Sequence, residues 1–161
     1  RQLKRDFRKP LVVFTPKSLL RHPSCNSTIE EFTNGKFQEI IDDSIDASSV
    51  KKLVLCSGKL YYELLQERIE NKRTDVAIVR LEQLYPIAEQ QLQKIIKKYN
   101  PEHLVWAQEE PENMGAWSYI LRTLRHLPFE VIARNESAAT ASGSSKRSAK
   151  RQNEIIKQVF K

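Results

Sequence analysis

The sequence is poor in the residues that build several kinds of protein. Of its 161 residues, two are cysteine, four glycine and seven proline. Cys25 and Cys56 are far apart, and neither has a Cys or His pair nearby. This excludes a disulfide-framed small domain and a zinc module, and fits a reducing compartment. No apolar run approaches the roughly 20 residues that span a bilayer, and the N-terminal residues have no hydrophobic signal core, so a soluble protein is expected with no membrane role. The glycines are too sparse for either nucleotide fingerprint. G-x-G-x-x-G occurs nowhere, and Gly58-Lys59 has Leu53 where a Walker loop needs its first glycine and Leu60 where it needs Ser or Thr. The three histidines, His22, His103 and His126, lack a Ser, Cys or Asp partner at a recognised spacing, so neither a triad nor a metal site is expected.

Basic charge is in excess, 27 Lys and Arg against 20 Asp and Glu, a net of +7. A sum of that size raises the question of nucleic acid. Its distribution answers it. Residues 1–10 carry a net of +4 and residues 134–161 a net of +5, leaving −2 on residues 11–133. A groove binder spreads Lys and Arg over a folded face with aromatics between them, so no nucleic-acid site is expected in the body of the domain.

With 40% apolar residues, the chain is long enough for one packed domain and too short for two. Leu3, Phe7 and Pro10 read as the tail of a linker helix over residues 1–10, and residues 11–161 as a single domain of a larger protein. LVVF at 11–14, LVLC at 53–56, VAIVRL at 76–81, HLVWAQEE at 103–110 and FEVIAR at 129–134 are short apolar, β-branched runs that predict strands. Residues 37–40 add a short candidate. Helical spacing predicts helices over 28–33, 59–71, 87–99 and 116–126, and a closing one after Ser144 or Ser145. The polar stretch around 41–50 reads as a surface connection. Strands alternating with helices predict an α/β fold: three layers, a mostly parallel sheet of about five strands, helices on both faces.

Sites in such sheets form at the carboxyl ends of the strands. Here those ends are Thr15 to Lys17, Cys56 to Lys59, Arg80 to Gln83 and Gln108 to Glu110. Ser57-Gly58-Lys59 opens a helix directly after a strand, which is either an ordinary helix start or a contact for phosphate or carboxylate. Glu109 and Glu110 could act as acid and base, but neighbours on an extended chain point to opposite sides, which favours a solvated turn or a subunit contact. Trp106 and Trp117 could form an aromatic ledge or pack under helices. Residue types alone yield no self-contained active site.

The runs RKPLVVFTPKSLLRHP (8–23), SGKLYYELL (57–65), DVAIVRLEQLYP (75–86), WAQEEPENMGAW (106–117) and ASGSSKRSAKRQNEII (141–156) occur in an order that resembles the C-terminal domain of the thiamine-diphosphate-dependent 2-oxoglutarate dehydrogenases. The resemblance implies a transketolase C-terminal-like fold, in a homodimeric parent that decarboxylates 2-oxoglutarate and passes the succinyl group to a lipoyl-bearing succinyltransferase in the tricarboxylic acid cycle. It implies thiamine diphosphate and Mg2+ bound by upstream domains, with no catalytic residue in this stretch. It further implies an effector or anion site for acetyl-CoA or AMP near Thr15, Lys17, Ser57, Lys59, Arg80 and Gln108. His22, Glu109, Glu110, Trp117 and Arg134 are then expected at dimer or interdomain surfaces. The implied location is the bacterial cytoplasm, or the mitochondrial matrix in a eukaryote. A related oxoacid dehydrogenase or transketolase domain is the near alternative, and a basic-tailed α/β module for RNA or an acidic partner the distant one.

Overall fold

A computed structural model describes residues 4–161, which divide into two compact units meeting at Gly35 and Lys36. In the first unit, residues 5–10 form no helix, a 3-10 turn covers Lys17–Leu19, and α1 covers Ile29–Asn34. Thr28 starts α1 as expected. Its hydroxyl accepts from the Glu31 amide at 3.2 Å, and the Glu31 carboxylate accepts from the Thr28 amide at 2.7 Å, so two orphan donors of the first turn are satisfied. The run Leu11–Phe14 is not a strand. Its four side chains are 68 to 95% exposed, and no strand among the described residues pairs with it, so its backbone has no ladder to join.

The second unit contains the sheet: β1 (Ile40–Ile41), β2 (Lys52–Cys56), β3 (Val76–Leu81), β4 (His103–Pro111) and β5 (Phe129–Arg134), in the order β1-β3-β2-β4-β5. All neighbours run parallel except β1, which pairs antiparallel with β3. The fold class is the one expected, with β1 in place of the expected strand at 11–14. Between β2 and β5 lie α2 (Leu60–Glu70), α3 (Glu89–Tyr99) and α4 (Trp117–Thr123), and α5 (Ser145–Val159) comes after β5. Ser144 caps α5 by accepting from the Arg147 amide.

The strands are apolar throughout because both faces are covered. Leu53, Leu55, Val79, Leu81, Leu104 and Trp106 face α3 and α4, where Leu92, Ile95, Trp117 and Ile120 meet them. Val54, Cys56, Val76, Ile78 and Val105 face α2 and α5, where Leu60, Leu64, Ile155 and Val159 meet them. Each fully buried Leu, Ile or Val is worth about 1.5–3 kcal/mol of transfer free energy.

Two local devices shape the rim. Between Ala107, opposite Ile132, and Pro111, opposite Arg134, β4 advances four residues while β5 advances two, so Gln108 to Glu110 bow out of the regular ladder. On the β3 edge, β1 is only two residues long. Where it ends, the Asp43 carboxylate takes over, accepting from the Ile78 amide at 2.7 Å. It also holds the Arg68 guanidinium in a buried ion pair.

Candidate functional site

Strand order changes direction around β2: β3 lies on one side and β4 on the other. The carboxyl ends of β2 and β4 therefore border the crevice where α/β sheets bind ligands. Gly58, at φ +66, makes the turn out of β2 in the left-handed region that glycine adopts without strain. Lys59 then opens α2. Its ammonium donates to the Glu109 carboxylate across the crevice and to Glu63, one turn along α2, at 2.8 Å. The second oxygen of Glu63 accepts from Gln152 of α5 at 2.6 Å, and the Gln152 carbonyl accepts from Arg134 at the end of β5 at 3.0 Å. One polar chain thus joins β4, α2, α5 and β5 along a cavity of about 630 Å³ that these five residues help to line.

Burial alone would lower the Lys59 pKa, but hydrogen bonds to Glu109 and Glu63 outweigh it and hold the ammonium above its ordinary 10.5. A raised lysine pKa stabilises the fold below the ordinary value, and the contribution is lost as pH rises through the raised one. The contacts among Lys59, Glu109 and Glu63 are accordingly in place at neutral pH.

Arg80, at the end of β3, is held differently. Its guanidinium lies 4.5 Å from the centroid of the Tyr61 ring and donates to the Tyr62 hydroxyl at 3.1 Å. Its Nε is buried without a hydrogen-bond partner, and the nearest carboxylate, Glu82, stands 3.6 Å away. That distance permits ion pairing and is too long for a hydrogen bond. Stacking fixes the cation while leaving donor capacity unused.

Cys56 ends β2 directly before this turn. Burial pushes its thiol up to about 12, against a smaller opposing effect of the Arg80 charge, so it is no nucleophile at neutral pH. Cys25 in the first unit is exposed. A thiol reagent is expected to titrate one equivalent, Cys25, in the native chain and the second only on unfolding. Two fast equivalents without denaturant would contradict the burial of Cys56.

Residues 26–160 match the family described as 2-oxoglutarate dehydrogenase C-terminal. The chain belongs to this family. It is 43% identical, over 99% of its own length and 18% of the relative's, to the 2-oxoglutarate dehydrogenase E1 component of Azotobacter vinelandii. It is 40% identical to that of Rickettsia felis, over 99% of this chain and 17% of the relative. It is 41% identical to the oxoglutarate dehydrogenase of Buchnera aphidicola, over 92% and 17%. The chain therefore spans less than a fifth of the length of these relatives. Among solved structures it is similar in fold to a split gene transketolase, in an inactive beta4 tetramer, with a TM-score of 0.56 and 14% identity over 78% of this chain and 43% of the other.

In this member of the 2-oxoglutarate dehydrogenase C-terminal family, Ser57, Lys59, Arg80 and Glu109 gather at the carboxyl rim of the sheet. Thr15 and Lys17 do not lie at a strand end: Thr15 comes directly after the exposed run and Lys17 starts the 3-10 turn, both in the first unit. His22 is also in the first unit, where its Nδ1 accepts from the Ser24 amide. Gln108 is buried, and its amide is consumed internally. Oε1 accepts from the Trp106 indole and the Trp117 amide, and Nε2 donates to the Pro111 and Met114 carbonyls. A side chain so engaged does not reach for an anion. Gly115 presses on it: a Cβ there would stand 3.1 Å from the Gln108 amide, at φ +68. Trp117 is likewise corrected from a surface to a core residue, packed with Ile120 under the sheet. Glu110 is exposed and Arg134 half-buried.

Sequence reading missed Glu63, Gln152 and the two tyrosines. Glu63 was within reach of a local signal, because it lies one helical turn from Lys59. Tyr61 and Tyr62 were visible only as helix residues. Gln152 is 89 residues from Glu63, and no spacing rule connects them.

Proposed function

We propose that this chain is the C-terminal domain of the decarboxylating E1 component of a 2-oxoglutarate dehydrogenase complex. Its role is to hold the assembly together and to carry an anion-responsive rim, while the upstream part of the parent conducts the chemistry. The observation that carries this reading is the identity of about two residues in five along nearly the whole chain to E1 components from several bacteria. The parent then acts as a homodimer and delivers succinyl groups to the lipoyl-bearing succinyltransferase.

Thiamine diphosphate and its Mg2+ do not fit the residues of this chain. Among the described residues no three His, Cys, Asp or Glu side chains gather to hold the Mg2+ that accompanies the diphosphate. The cofactor, which supplies the carbanion chemistry, is assigned to the upstream domains. No catalytic step is given to Ser57, Lys59, Arg80 or Glu109. Glu110, Arg134 and His22 are proposed as contacts to the rest of the parent.

Thiamine-dependent release of CO2 from 2-oxoglutarate and succinylation of a lipoyl domain by the full-length parent is the expected result, with no turnover by the 161-residue chain. Preference for another oxoacid or a sugar phosphate would overturn the assignment. For the effector, acetyl-CoA or AMP is proposed to engage Ser57, Lys59 and Arg80, supported by their shared place at the carboxyl ends of β2 and β3. Either ligand should raise the thermal midpoint of the parent, and Lys59→Ala should abolish the rise. No shift with both ligands argues against an effector here.

A further inference from the structure

The run Leu11–Phe14 is at odds with its surroundings. It is four consecutive apolar residues, two of them β-branched, between Lys9-Pro10 and Thr15-Pro16. Such a composition belongs to a strand buried on both faces. Yet every side chain in it is at least 68% exposed, and the five-stranded sheet of the second unit is built without it. A solvent-facing strand would alternate apolar with polar residues, and this one does not. Its partner must therefore cover two faces, as the interior of an α/β layer does and as an open surface or a single groove does not.

Two further observations say where that layer lies. The family match begins at residue 26, after the run, and is described as C-terminal. The relatives from Azotobacter vinelandii and Rickettsia felis nevertheless align with 99% of this chain, the run included, and are more than five times as long. Most of their length thus lies on the N-terminal side of the region shared with this chain. We propose that Leu11–Phe14 is a strand of a parallel sheet formed by the polypeptide N-terminal to this chain in the full-length parent. The segment from Thr15 to Gly35 is then the connection between that domain and the second unit. The inference rests on family membership and is independent of the substrate.

The test uses the full-length parent. In hydrogen–deuterium exchange, the amides of Val12 to Phe14 should be protected at least 100-fold beyond an unstructured chain, with the unmodified sequence. A photo-crosslinking residue in place of Val13, in a mixture of light and isotopically heavy parent, should link within one polypeptide to residues N-terminal to Arg1. Unprotected amides would overturn the proposal. So would crosslinks joining light to heavy chains, which would make a second copy the occupant, or crosslinks to residues 36–161. The substrate assay on the same preparation reports separately on the E1 assignment.

Discussion

Asp43→Ala is expected to destabilise the second unit by about 3–5 kcal/mol, the cost of leaving a buried charge without its partner. The side chains of Arg68 and Asp43 are 11% and 5% exposed. Besides the ion pair, Asp43 accepts from the Ile78 amide, and Arg68 also donates to the Val76 carbonyl at 3.2 Å. Removing the carboxylate strands the guanidinium and one β3 amide together. Its neighbour provides the control. Asp42 meets Lys98 at 2.7 Å, but with the two side chains 34% and 43% exposed, so Asp42→Ala should cost less than about 1 kcal/mol. Urea unfolding monitored by tryptophan fluorescence distinguishes the two. Equal, small losses would mean that Asp43 does not hold the sheet edge.

The second large effect is expected at Gln108. Within buried or half-buried surroundings its amide bonds to the Trp106 indole at 2.9 Å, the Trp117 amide at 3.0 Å, the Pro111 and Met114 carbonyls at 3.0 and 2.7 Å, and, at 3.5 Å, the Glu110 carbonyl. Gln108→Leu fills similar space and satisfies none of them. The Pro111 carbonyl keeps the Met114 amide at 2.8 Å, but the Trp106 indole, the Trp117 amide and the Met114 carbonyl lose this partner. Each buried group left unpaired costs about 1–3 kcal/mol, and because the three share one side chain a total of about 4 kcal/mol is expected. The indole also loses its acceptor, so the native fluorescence should change along with the unfolding midpoint. A loss below about 1 kcal/mol would place the amide at the margin of the structure and reopen its availability to a ligand.

What could be read from the sequence was what is decided locally. Thr28 and Ser144 cap helices through a bond to a backbone amide three residues on, a reach that spacing reveals. The apolar strands around β2 and β3 were legible because burial on both faces leaves a continuous run. Non-local pairing was not. Leu11–Phe14 has the composition of a strand and no strand beside it, while Ile40–Ile41 is a strand because Leu81 and Arg80 lie opposite. The polar stretch at 41–50 read as a loose connection, yet Asp43 anchors it through Arg68, 25 residues away. At the rim, sequence located Gln108, Glu109 and Trp117 correctly at the end of β4 and the start of α4. It could not give their direction, and direction separates an internal clamp from a crevice ion pair and a core tryptophan.

The bowed stretch of β4 has a consequence for chain length. Along a strand the two faces alternate with every residue, so an insertion matters first by whether it is odd or even. Four steps on β4 against two on β5 leave a surplus of two, and an even surplus keeps the strand in phase. Trp106 and Gln108 therefore share the α4 side, and Pro111 rejoins the ladder with the two faces still in their original sense. Adding one residue directly after Ala107 would reverse that phase, exchanging the inward clamp of Gln108 with the outward reach of Glu109. Length at this rim is quantised in pairs.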